Sequence, residues 1–118
     1  MSEVPDISSG ITKPELFEAF KIQLKKDFEN CGLNCDFAEK LVPDYDLIFS
    51  TVSKEIDLII KSGGKLNELL YRIDISEPQI KKLGKEKTAI DLNGILAELI
   101  IKRELQKVVI KEFYKKKE

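Results

Sequence analysis

Thr88–Tyr114, TAIDLNGILAELIIKRELQKVVIKEFY, is the stretch that decides the fold. Apolar residues recur through it at three- and four-residue spacing, so it reads as one long helix over about residues 88 to 115, with Thr88 as cap and Asp91 three residues on. Its apolar residues outnumber what a single buried face needs. Projected at about 100° per residue, Leu92, Leu96, Leu99, Ile110 and Phe113 cluster on one side, while Ile101, Leu105, Val108 and Val109 lie broadly opposite. Either the helix is central and wrapped on two sides by its own chain, or the second face meets a protein partner or a second copy in a homodimer. Gly94 interrupts the pattern at about 1 kcal/mol relative to Ala, which close approach of another helix would explain.

Upstream segments supply the wrapping. Thr12-Lys13-Pro14-Glu15 has the form of a capping box, and Leu16, Phe17, Phe20, Leu24, Phe28 and Cys31 follow at helical spacing, predicting a first helix over about 12 to 31 that Gly32 and Leu33 close. Asp36 is expected to cap a short helical connector that Pro43 ends. Between Asp44 and Ser62, Tyr45, Ile48, Phe49, Val52, Ile56, Ile59 and Ile60 form one narrow stripe, and Gly63-Gly64 stops the helix. Leu66, Leu69, Leu70 and Ile73 place a shorter helix on 65–73. Ser76-Glu77-Pro78-Gln79 is a second capping box that opens a further turn or two, with Asp74 and Ile75 at the corner and Gly84 to Lys87 as a loop. No stretch alternates as an amphipathic strand would. The fold expected is all-α, an antiparallel helical bundle of four to five helices with a long C-terminal helix, forming one domain over 12–118 behind a flexible arm at 1–11.

Composition narrows the chemistry. The 118 residues contain no histidine, which removes the commonest general base and metal ligand, and the net charge of -1 sets up no global field for nucleic acid or anionic membrane. Residues 1–10 have no basic start or apolar run, so no signal peptide is expected, and no apolar stretch approaches the roughly 18 residues of a membrane span. A cytoplasmic location is the expectation, with no membrane association and no cofactor. Cys31 and Cys35, four apart with no histidine or second pair, cannot complete a zinc site and read as ordinary thiols.

Arginine stands out, because Arg72 and Arg103 are the only two among 20 basic residues. Arginine makes two-pronged pairs with carboxylates and tolerates partial burial. Arg103 projects near the centre of the Leu92–Leu96–Leu99 stripe, where an unpaired cation would be costly. It is therefore expected to pair with Asp74 or Glu77 at the corner, or with a main-chain carbonyl at a helix end, making Arg72, Asp74, Glu77 and Arg103 a buried ion-pair or partner site. Close carboxylates such as Asp44 and Asp46, or Glu77 and Glu104, carry only a very weak catalytic signal, since pairs arise by chance among 21 acidic residues. Residues 66–83 can be drawn as helix, turn and helix, but the second helix offers phosphates only Lys81 and Lys82, and lysines on the last helix spread round the cylinder. Nucleic-acid binding is thus the alternative, in a small helix-turn-helix-like regulator. The preferred reading is a non-enzymatic protein–protein interaction module, self-associating through its C-terminal helix.

The runs Leu69–Glu77 (LLYRIDISE) and Leu96–Val108 (LAELIIKRELQKV) resemble a family of small all-helical bacterial proteins with no known function. The resemblance implies a stand-alone bacterial protein and brings no activity or cofactor with it.

Overall fold

Helix ends are set by a few side-chain caps and by backbone turns that satisfy the free carbonyls. The computed structural model describes residues 13–117, excepting the side chains at 113, 116 and 117, so the arm at 1–11, the Thr12 cap and the Phe113 side chain lie outside the described residues. Among the described residues six helices follow in order: α1 Pro14–Asn30, α2 Asp36–Glu39, α3 Tyr45–Lys61, α4 Leu66–Ile73, α5 Glu77–Glu86 and α6 Leu92–Lys117. No strand occurs among the described residues.

In α1, Pro14 occupies the first turn, where its missing N–H costs no helical bond. The helix closes in a Schellman motif: Gly32 at φ +72° lets its own amide reach Glu29 O at 2.9 Å and the Leu33 amide reach Phe28 O at 3.0 Å. The same closure recurs after α3, where Gly64 N donates to Ile59 O at 2.9 Å around Gly63. After α4 a non-glycine residue takes that role. Asp74 sits at φ +74°, and Ile75 N donates to Leu70 O at 2.8 Å. This turns the chain sharply and buries Ile75.

Three boundaries differ from expectation. Asp36 is the first residue of α2 and not its cap; Asn34 Oδ1 accepts from the Asp36 amide at 3.3 Å. Helix α5 runs through Gly84 to Glu86, because Ile80 and Leu83 lie on its partly buried side and it packs against α6, and contact of that kind outweighs one glycine. The capping box at its start is present, with Gln79 Oε1 accepting from the Ser76 amide at 2.7 Å. Helix α6 starts at Leu92, since Asp91 Oδ1, not Thr88, accepts from the Gly94 amide at 2.9 Å, and residues 87–90 form a turn closed by Ile90 N donating to Lys87 O.

Helix α6 is central. It packs chiefly against α3 and α1, and also against α5 and α4. Leu96, Ala97, Ile100, Ile101, Leu105 and Val108 are buried among Phe20, Leu24 and Phe28 of α1, Ile48, Val52 and Ile56 of α3, and Leu69 and Ile73 of α4. Ile101, Leu105 and Val108, expected as an interface with a partner, are therefore core, and Val109 packs partly buried against it. Of the opposite stripe, Leu96 is also buried and Leu99 packs partly buried against the core, while Leu92 is 56% exposed and Ile110 41%. Gly94 is where α3 comes close, since a Cβ there would lie 3.1 Å from Phe49 Cζ and 2.4 Å from Ile90 Cγ2.

Candidate functional site

The arc of α6 that faces the core carries one charged residue near its middle. At about 100° per residue, Glu104 falls between Ile100, Ile101 and Val108, and it is 0% exposed. Helix α1 mirrors this. Asp27 follows Leu24 by three residues, precedes Phe28, and is 2% exposed. Two acids thus occupy apolar-stripe positions on helices that pack together.

Their protonation differs. Neither Glu104 oxygen accepts a well-directed hydrogen bond among the described residues, and the Lys107 ammonium, 3.4 Å from Oε1, is a Coulombic neighbour. A carboxylate so placed would carry a penalty of several kcal/mol. Burial, reinforced by a hydrogen bond and charge repulsion from Asp27, pushes the Glu104 pKa up to about 9. Glu104 is therefore a neutral acid at physiological pH and donates to Asp27. For Asp27, burial acts upward, but hydrogen bonds from Glu104, Gln23 and Lys107 more than offset it and hold the carboxyl below its ordinary value. The pair holds one proton and one negative charge.

That charge anchors cations. Arg72 Nε donates to Asp27 Oδ1 at 3.0 Å, Lys107 Nζ to Oδ2 at 3.1 Å, and Gln23 Nε2 to Oδ2 at 3.2 Å. Lys107 also approaches the Arg72 carbonyl at 3.5 Å, which ties the end of α4 to α6. Further along, Lys111 Nζ donates to Gln23 Oε1 at 3.1 Å. Above the pair lies an open cleft of about 510 Å³ lined by Gln23, Lys26, Asp27, Arg72, Arg103, Lys107, Ile110 and Lys111. Arg103, Lys107 and Lys111, four residues apart on α6, form one wall; Gln23, Lys26 and Asp27 of α1 form the other, and Arg72 closes the end.

The residues expected as a site divide. Arg103 Nε donates to Ile73 O, and its Nη2 to Asp74 Oδ2, both at 3.3 Å. Its side chain is 30% exposed, so it lies at the edge of the buried stripe and not at its centre. Arg72 and Arg103 line the same cleft, and Asp74 meets it through Arg103. Glu77 joins neither arginine; it is exposed in the first turn of α5. The reading that α6 lysines form no stripe needs correction, because Lys107 and Lys111 fall in register with Arg103. Asp27 and Glu104 were missed, though a stripe-position acid is a signal the sequence does contain. Cys31 is buried, which pushes its thiol pKa up, and Cys35 is half-buried; both are free. Among the described residues, no group of three or more histidine, cysteine, aspartate and glutamate side chains could hold a metal ion, and no helix is long and apolar enough to cross a membrane.

Comparison of the chain with protein-family models, with curated proteins and with solved structures gives no match.

Proposed function

We propose that this chain is a non-enzymatic protein–protein interaction module, an antiparallel helical bundle that docks an acidic segment of a protein partner in the cleft between α1, α4 and α6. The observation that carries the reading is convergence. Both arginines of the chain and three lysines line one open cleft, although the whole sequence has a net charge of -1. Arginine forks suit carboxylates, and a local concentration of positive charge steers an acidic partner towards it. A second copy of the chain is a weaker candidate, because the face of α6 that would have paired with it is occupied by the chain's own helices. Titrating a short fluorescent Asp/Glu-rich peptide at low salt tests the reading. Binding that weakens with salt and with Arg72→Gln or Arg103→Gln supports it, and absence of binding overturns it.

One observation favours the nucleic-acid alternative. Helix α4, a turn containing left-handed Asp74, and helix α5 follow one another in helix-turn-helix order, with Lys81, Lys82 and Lys85 exposed on α5. Glu77 and Glu86 flank those lysines and weaken the case. Salt-dependent binding of duplex DNA that is lost in Lys81→Gln/Lys82→Gln would establish this reading instead.

A further inference from the structure

We infer that the anionic group the cleft accepts is a phosphate monoester on a partner segment, in preference to a carboxylate; this rests on the interaction reading above. The first argument is charge balance. Lys26, Arg72, Arg103, Lys107 and Lys111 line the cleft, and among the described residues Asp27 is its one acidic lining residue, with Asp74 paired to Arg103. One ligand carboxylate would leave several cations uncompensated, whereas a phosphate monoester brings about two negative charges and three acceptor oxygens.

The second argument is donor geometry. Arg72 spends Nε on Asp27, so its two terminal nitrogens are left for a ligand, and Lys26 makes no ion pair among the described residues. These donors sit on α1 and α4, with Lys107 and Lys111 across from them on α6, so a tetrahedral group can be approached from several sides. A planar carboxylate has only two oxygens to share. The buried Asp27 carboxylate fixes Arg72 and Lys107 before any ligand arrives, which lowers the ordering cost of binding.

The third argument concerns what carries the phosphate. The cleft is open, about 510 Å³, and has exposed Ile110 on its wall, so it has room and an apolar contact for residues flanking the phosphorylated one. A free phosphate ion would use neither.

The experiment uses the full chain and three fluorescent peptides of one neutral sequence, with serine, glutamate or phosphoserine at the centre, and inorganic phosphate as competitor. The phosphoserine peptide is expected to bind at least about tenfold tighter than the glutamate peptide, with the serine peptide weakest. Lys26→Ala, which breaks no internal pair, should lower that affinity several-fold with an unchanged melting temperature, and Arg72→Lys should lower it further by losing the fork. Equal binding of the glutamate and phosphoserine peptides overturns the phosphate preference while leaving the interaction reading intact. Failure of both peptides to bind overturns the two together. Inorganic phosphate binding as tightly as the phosphopeptide overturns the assignment to a partner segment.

Discussion

Asp27 of α1 and Glu104 of α6 meet in the packed seam between their helices as one carboxylate and one neutral acid. The pair fixes Lys107 and Arg72, and through them the junction of α1, α4 and α6 on which the cleft is built. Much of this protein's expected behaviour follows from that seam.

Stability should fall as pH rises. Glu104 keeps its proton in the folded chain up to about pH 9, while the unfolded chain releases it above the ordinary 4.5. Folding above 4.5 therefore takes up a proton, so the favourable contribution is complete below that pH and is lost progressively towards 9. Asp27 acts with the opposite sign, its pKa being lowered from 3.8, so its contribution is lost only in stronger acid. Urea unfolding should show wild type most stable in mild acid. Glu104→Gln should flatten the dependence and gain a few kcal/mol at pH 8, with little change at pH 5. A variant less stable than wild type at pH 8 would contradict the neutral-acid assignment.

Lys107→Met should cost about 1–3 kcal/mol, because it leaves the buried Asp27 carboxylate with one cation fewer. In the Asp27→Asn background the same substitution should cost clearly less. A double-mutant cycle by chemical denaturation measures the coupling, expected at about 1 kcal/mol or more.

Two glycines in helices should respond oppositely to alanine. At Gly84 a Cβ would rest 3.5 Å from Ile95 Cδ1, an ordinary contact, so Gly84→Ala should stabilise by about 0.5–1 kcal/mol through helix propensity. At Gly94 it would meet Ile90 Cγ2 at 2.4 Å and Phe49 Cζ at 3.1 Å, so overpacking should exceed the propensity gain and Gly94→Ala should lose about 1–2 kcal/mol. Melting temperatures of the two variants, moving in opposite directions, check this.

What the sequence disclosed follows from where the physics is local. Helix α3 was legible because Ile48, Val52, Ile56 and Ile59 make one stripe, Asp44 caps it at Leu47 N, and Gly63 ends it. Helix α6 was legible as a helix but not as a face. Apolar residues lie all round it, and only packing against α1 and α3 selects Ala97, Ile101 and Leu105 over Leu92 and Ile110. Propensity misled at Gly84, where contact with α6 extends α5. The arginines drew attention to the right corner, and Arg103 finds both Asp74 and the Ile73 carbonyl. Asp27 and Glu104 stayed hidden because periodicity treats an acid as a solvated residue. Asp27 is held by Arg72 and Lys107, which come from other helices distant in sequence, and Glu104 by Asp27 across the seam, so neither pairing is visible in local periodicity.

Amide shift mapping by NMR, with a short Asp/Glu-rich or phosphoserine peptide titrated at low salt, tests the docking cleft most directly. The expected result is a contiguous set of perturbations at Gln23, Lys26, Arg72, Arg103 and Lys111, saturating together and collapsing on added salt. Perturbations centred on Lys81, Lys82 and Lys85, or none at saturating peptide, would contradict the cleft as the site of function.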